Sequence, residues 1–256
     1  MKKYHLTFDR TIKAKTLAKL FLKNYKNYAP KLADFIIVLG GDGFMLSSLK
    51  RYRKFSKPFY GINTGTYGFL MNKFKSFNLD RIIYLSNLIR ISPLEMKAVT
   101  KNNRIFSAIA INEVSLLRQN RQAASLQIHI GKRKLLKKLV CDGVLISTPA
   151  GSTAYNLSVN GPILSLNSKK LAITSISPFR PRRWKGKVVP SSSVIKIHNL
   201  NIKKRTVSVV ADNLEVKNIK SVQIKSSKTI KFKLLYDKNN SLTKKIKLEQ
   251  IRKIKN

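Results

Sequence analysis

Residues Phe35–Tyr52 read FIIVLGGDGFMLSSLKRY. The run Phe35–Leu39 is five apolar residues, the length of a short buried parallel strand. Gly40, Gly41, Asp42 and Gly43 then make a turn, and Phe44, Met45, Leu46, Leu49 and Tyr52 recur at helical spacing. Strand, glycine turn and helix form an α/β unit whose ligand edge is the turn. Glycines let backbone approach a ligand closely, and the amides at a helix start attract phosphate. Asp42 places a carboxylate in the middle of this anion-attracting loop. It either caps the helix or does chemistry, by orienting a hydroxyl, taking its proton or meeting a metal.

Working outward, residues 2–8 predict a first strand. Residues 12–23 predict an amphipathic helix with Ile12, Leu17, Leu20 and Phe21 inward. Beyond the central unit, residues 57–63 predict a strand that runs into a second glycine turn, Gly61–Gly68, GINTGTYG. Two such turns after successive strands belong side by side at one edge of a parallel sheet. There Asn63 and Thr64 either meet a ligand or satisfy their own turn. Residues 78–89 predict a helix capped by Asn78, with Ile82, Ile83, Leu85 and Ile89 inward. The expected first domain, residues 1–93, is thus α/β with a Rossmann-like parallel sheet carrying the GGDG loop.

From residue 94 the apolar period becomes two. Leu126, Ile128 and Ile130 alternate, as do Ile195 and Ile197, Val207 and Val209, Val222 and Ile224, and Ile230, Phe232 and Leu234. Regular recurrence of such runs predicts a β-rich, β-sandwich-like domain over residues 94–235. Residues 236–256 are expected to return to the first domain, with a lysine-rich helix from Ser241.

The chain has 256 residues, 43% of them hydrophobic, enough for one large core or two modest ones. No apolar run approaches the ~18 residues of a membrane span. No secretory leader is apparent in MKKYHLTFDR. The single cysteine, Cys141, excludes an intrachain disulfide and a cysteine-rich metal site, and reads as a packed residue. A cytoplasmic location is expected. Fifty-two Lys and Arg against 11 Asp and Glu give a formal net charge of +41. Such a field attracts polyanions, but the lysines are spread along the chain without the aromatic interleaving of a stacking groove. A nucleic-acid-binding module would therefore rest on charge alone. With so few acids, Asp42, Glu113 and Asp142 gain weight, since each falls in a motif-like stretch.

Two of those stretches lie in the β-rich part. In Ala110–Leu117, AINEVSLL, Asn112 and Glu113 interrupt an apolar strand. An amide can read an adenine edge, and a carboxylate can accept from ribose hydroxyls. Alternatively, both sit at a solvated strand end. In Asp142–Pro162, DGVLISTPAGSTAYNLSVNGP, a strand ends in a loop of small residues. Its hydroxyls (Ser147, Thr148, Ser152, Thr153) and backbone can surround a flat polar ligand, with Tyr155 over a base or ribose. No GxxxxGK[ST] or HExxH occurs, and His5, His129 and His198 are isolated in strand-like runs.

The ordered set GGDG, GINTGTYGFL, NEVSLLR, DGVLISTPAGSTAYNLSVNGPIL and ITSISPF, over roughly residues 32–236, resembles the NAD kinase family. The resemblance implies transfer of phosphate from ATP to the 2′-hydroxyl of the adenosine ribose of NAD, giving NADP, with a divalent cation such as Mg2+. It implies an N-terminal α/β domain, a C-terminal β-rich domain, and a homodimer or homotetramer with NAD bound where domains and subunits meet. No specific nucleic acid and no membrane span are expected. It maps the general base to Asp42, phosphate contacts to Gly40, Gly41 and Gly43, and NAD contacts to Asp42, Gly43, Asn112, Glu113, Asp142, Thr153, Ala154, Tyr155, Asn156, Leu157 and Ser158. No protein metal ligand is mapped. The chain departs from the family pattern at Phe44 and Ala150, where threonines are usual. It departs again at Ala211-Asp212-Asn213 in place of Asp-Gly-Gln, where Asn213 stands in for the ligand-facing amide. The alternative is a diacylglycerol-kinase-like lipid kinase, which shares GGDG. The NE pair and the STPAGSTAY loop speak against it.

Overall fold

A computed structural model describes residues 2–66 and 68–238. The chain opens with β1 (Tyr4–Phe8), α1 (Ile12–Asn24), β2 (Phe35–Gly40), α2 (Asp42–Tyr52), β3 (Pro58–Asn63), α3 (Leu79–Leu85) and β4 (Ser86–Ile91). It continues through β5 (Leu94–Thr100), β6 (Ile105–Ala110), β7 (Glu113–Arg118), β8 (Ala124–Ile130), β9 (Arg133–Cys141), β10 (Gly143–Ser147) and α4 (Tyr155–Ser158). Then follow β11 (Lys170–Ile176), β12 (Lys187–Pro190), β13 (Ile195–Asn199), β14 (Val207–Ala211), β15 (Leu214–Val216), β16 (Ile219–Ser226) and β17 (Phe232–Asp237). Two compact units result. Among the described residues, one holds those up to Ile91 together with 231–238; the other is Ser92–Ile230.

The first unit is α/β. Its five-stranded sheet has the order β1-β2-β3-β17-β4, parallel except for β4. The apolar run of β2 is buried almost throughout, as a central parallel strand requires. Thr11 caps α1 by accepting from Ala14 N–H at 3.3 Å. Helix α1 buries Ala14, Ala18 and Phe21, whereas Ile12 is 85% exposed and Leu20 40%. Small alanines let the helix lie close on the sheet, so the expected Ile12 and Leu20 face is corrected.

Two larger corrections concern the sheet. The helix expected over 78–89 stops at Leu85, where Ser86 Oγ donates to Ile82 O at 2.7 Å and Ser86 N–H bonds Ile83 O. Residues Ser86–Ile91 form β4 against β17 instead, from Ser86↔Asp237 to Ile91↔Phe232. Strand β17 in turn belongs to the α/β sheet, where it runs parallel to β3, and not to the β-rich domain expected over 94–235. Its run Leu234, Leu235, Tyr236 is buried without alternation, the signature of a central strand. The return to the first unit therefore begins at residue 231. The helix expected from Ser241 lies outside the described residues.

The second unit packs two antiparallel six-stranded sheets on one core. Their orders are β12-β11-β10-β7-β14-β15 and β6-β5-β16-β13-β8-β9. Leu116, Val144, Ile146, Ile173 and Val209 from the first sheet meet Met96, Leu126, Ile128, Ile197 and Val222 from the second. This is the expected sandwich, and period-two burial along β13 shows how the sequence encodes it. Cys141 is a buried free thiol in that core, its pKa pushed up to about 12, chiefly by burial.

Candidate active site

In the α/β unit the two glycine turns do lie side by side. β2 pairs with β3 up to Gly40↔Asn63, and Thr64 N–H bonds Gly40 O at 3.0 Å. Gly41 is the extended N-cap of α2 and Asp42 its first residue. The first intrahelical bond of α2 joins Met45 N–H to Gly41 O at 3.0 Å. The amides of Gly43 and Phe44 precede it and face beyond the helix N-terminus, the geometry that favours phosphate.

The Asp42 side chain reaches the second glycine turn. Its Oδ2 accepts from Phe69 N–H at 2.8 Å and its Oδ1 from Leu70 N–H at 3.0 Å. Asp42 thus ties the second glycine turn to the first. Nearby, burial first and then the Asp42 charge raise the pKa of the Tyr236 hydroxyl, which stays protonated and points at Phe69 O, 3.4 Å away.

In the β unit, three neighbouring strand ends meet: the start of β7, the end of β10 and the end of β14. Ser147 pairs with Glu113, and Ala211 with Val114. Asp212, in the left-handed region at φ 53°, turns its carboxylate back onto the start of β7. It accepts from Ile111 N–H at 2.8 Å, Asn112 N–H at 2.9 Å and Glu113 N–H at 3.4 Å. Thr148 Oγ1 donates to Ile111 O at 2.7 Å, and Gly151 packs so closely that a Cβ there would stand 2.2 Å from Asn112 O.

So framed, Asn112 Oδ1 and Glu113 Oε2 are buried and have no hydrogen-bond partner among the described residues. Both are acceptors, and buried acceptors require donors. A ligand bringing hydroxyl or amide hydrogens would supply them. Burial, and then the Asp212 carboxylate, push Glu113 up to a pKa of about 7.

Other expected site residues fall differently. The hydroxyls of Thr148 and Ser152 build the loop from within: Thr148 accepts from Gly151 N–H at 3.1 Å, and Ser152 Oγ accepts from Leu164 N–H at 3.0 Å. Asn156 is fully buried, donating to Ser152 O and Pro162 O and accepting from Thr174 Oγ1 at 2.7 Å. Its amide is thereby spent on holding the loop. Tyr155 and Leu157 remain half-buried and Ser158 exposed. Asp142 is at the opposite end of β10, roughly 17 Å from the loop at strand rise, and pairs with Arg118 Nε at 2.6 Å. The single chain does not bring it to Asn112 and Glu113. Asp212 itself escaped the sequence reading. Its signal was an Asp-Asn pair linking two alternating runs, a hairpin turn that tolerates positive φ.

Fold and site together define a two-domain protein that offers a phosphate-type helix start in its α/β unit and ligand-seeking acceptors in its β unit. The family models agree with this division. The ATP-NAD kinase N-terminal domain matches residues 3–83, and the ATP-NAD kinase C-terminal domain residues 111–235. An NAD kinase of Brucella suis is 44% identical over 248 residues, covering 97% of this chain and 96% of the relative. One from Zymomonas mobilis is 46% identical over 244 residues, covering 94% and 95%. Among solved structures, yeast NADH kinase complexed with NADH superposes with a TM-score of 0.80 at 20% identity, covering 98% of this chain and 88% of that one. An NAD kinase from Archaeoglobus fulgidus in complex with ATP gives 0.77 at 20%, covering 98% and 100%. The chain belongs to the NAD kinase family. The lipid-kinase alternative is not supported, since both family models are those of NAD kinases.

Proposed function

We propose that the chain transfers the terminal phosphoryl group of ATP to the 2′-hydroxyl of the adenosine ribose of NAD, giving NADP. The observation that carries this reading is at Asp42: a carboxylate fixed by two backbone N–H groups at a glycine-flanked helix start. In-line phosphoryl transfer needs positioning and charge neutralisation more than covalent help. Gly40, Gly41 and Gly43 offer backbone to the donor's phosphates. Asp42 accepts the hydroxyl's hydrogen bond, aligns its oxygen and takes the proton as the new P–O bond forms and the bond to the ADP oxygen breaks. A ribose hydroxyl is a weak acid, so alignment contributes more than basicity.

Asn112 and Glu113 accept from hydroxyl or amide hydrogens of NAD, with Asn213, Thr153, Ala154, Tyr155, Leu157 and Ser158 as further contacts. Asn156 supports them by shaping their loop. Among the described residues no three His, Cys, Asp or Glu converge. A magnesium ion would be held chiefly by the donor's phosphates, with Asp42 the acidic group supplied by the loop. When bound, such an ion neutralises phosphate charge. A homo-oligomer belongs to the proposal too, because a second copy offers Asp142 a route to NAD that its own loop does not. A cytoplasmic setting completes it. Among the described residues no helix is long and apolar enough to cross a membrane.

The test is NADP formation from NAD, ATP and Mg2+, read with an NADP-specific dehydrogenase. Product that requires all three supports the reading. Folded protein that binds NAD and ATP yet forms none contradicts it.

A further inference from the structure

Asp42 can align a hydroxyl only if residues 69 and 70, which bond both its oxygens, are themselves held still. Among the described residues, 64–66 and 68–78 contain no helix or regular strand, so something else must hold them. The anchor is Asn72, whose side chain is fully buried. Its backbone pairs with β3: Asn72 N–H donates to Gly61 O and Asn63 N–H to Asn72 O, both at 2.8 Å. Its side chain pairs with β17: Nδ2 donates to Leu235 O at 2.9 Å and Oδ1 accepts from Asp237 N–H at 3.1 Å.

One residue of a parallel neighbour makes that pattern across Tyr236, its C=O accepting from one residue beyond and its N–H donating to one before. The side-chain amide of Asn72 thus stands in for a strand where the ladder between β3 and β17 ends, at Tyr60↔Leu235. Two further ties run to the same segment. Tyr236 Oη points at Phe69 O at 3.4 Å, and Asp237, itself held by Tyr60 Oη at 2.8 Å, pairs with Lys75 Nζ at 2.8 Å.

We propose that Asn72, assisted by Tyr236, is a positioning residue for the reaction: it straps residues 69–72 across the ends of β3 and β17 so that Phe69 and Leu70 present their N–H groups to Asp42. The proposal rests on the reading of Asp42 as the group that meets the acceptor hydroxyl. An amide is required because both of its ends are used. An aspartate would lose the donor to Leu235 O and stand beside Asp237. An alanine would leave Leu235 O and Asp237 N–H without their partner.

The experiment is a double-mutant cycle on turnover. Asn72→Ala is expected to lower kcat about tenfold to a hundredfold, as misplacement of a reacting group by about 1 Å does, with KM for NAD within about twofold. On an Asp42→Asn background the same change should cost less than about twofold, because the strap then has no carboxylate to aim. A purely structural Asn72 would lower the folded fraction and leave kcat per folded molecule unchanged, or cost the same factor on both backgrounds. Either result overturns the proposal. If Asn72→Ala does not fold, Tyr236→Phe goes through the same cycle under the same criteria. Wild-type turnover in Asp42→Asn would instead overturn the Asp42 reading. A normal Asn72→Ala beside an inactive Asp42→Asn overturns only the strap.

Discussion

Substituting alanine for the glycines of the GGDG turn separates the demands of the fold from those of the ligand. Gly43 is the second residue of α2, and a Cβ built there meets nothing within 4 Å. Its φ lies outside the left-handed region. The fold therefore has no use for a glycine at this position. Alanine there should stabilise the chain, by up to about 1 kcal/mol from helix propensity and reduced freedom of the unfolded chain. That corresponds to a Tm higher by roughly 1–4 °C. In the proposed reaction the open space is also where the amides of Gly43 and Phe44 would face the donor's phosphate. A methyl group at the approach should weaken these contacts, and loss of one preorganised donor to a charged oxygen costs about a hundredfold. Gly43→Ala should thus combine an unchanged or higher Tm with a kcat/KM for ATP lower by about that factor. Gly40→Ala is the control. A Cβ there would stand 2.9 Å from Phe44 Cβ and Cδ1, so it should lower stability by about 1–3 kcal/mol through overpacking. Scanning calorimetry and initial rates at varied ATP read both quantities. A Gly43→Ala protein with raised Tm and wild-type kcat/KM for ATP would refute the assignment of this turn to phosphate.

Two further predictions concern the β unit. Glu113, with its pKa near 7, should bind NAD hydroxyls best when ionised, so KM for NAD should rise as pH falls through 7, and Glu113→Gln should flatten that profile. The native state also holds this proton more tightly than the unfolded chain, whose value is 4.5. Between those two pH values stability therefore falls as pH rises, and at pH 8 Glu113→Gln should be more stable by up to about 3 kcal/mol; thermal melts at pH 5 and 8 measure it. Asn156→Ala removes the partners of Thr174 Oγ1, Ser152 O and Pro162 O at a fully buried site. It should cost about 2–4 kcal/mol in urea unfolding, and a cost below 1 kcal/mol would remove its role in shaping the loop.

The turn after β2 was legible because three local signals agree: an apolar run, glycines and a helical period. The failures arose where tertiary partners decide. Ile82, Ile83, Leu85 and Ile89 carry a helical spacing, yet residues from Ser86 onward are drawn into pairing with β17. Phe232 and Leu234 alternate, but Leu235 and Tyr236 are buried as well, because β17 lies inside the α/β sheet between β4 and a parallel partner, β3, that is 175 residues earlier at Leu235↔Tyr60. No local pattern reports such a partner. At the site, Asn112 and Glu113 stood out as polar residues in an apolar strand, and they are the acceptors left without donors. In the hydroxyl-rich loop Thr148 and Ser152 bond backbone of the loop and its neighbours, since Ser or Thr in a turn satisfies nearby backbone first. Asp142 is contiguous in sequence with the strand that leads into the loop, yet that full strand separates the two. Asp212 and Asn72 act through distant backbone, which sequence spacing does not display.

The central claim is that Asp42 meets the hydroxyl that receives the phosphate. The most direct measurement is the turnover of Asp42→Asn beside the wild type, with NAD, ATP and Mg2+, with fold checked by circular dichroism and NAD affinity by calorimetry. The account predicts NADP from the wild type, and from the variant a turnover lower by about a hundredfold or more with fold and NAD affinity retained. Near-normal turnover in the folded variant would contradict it.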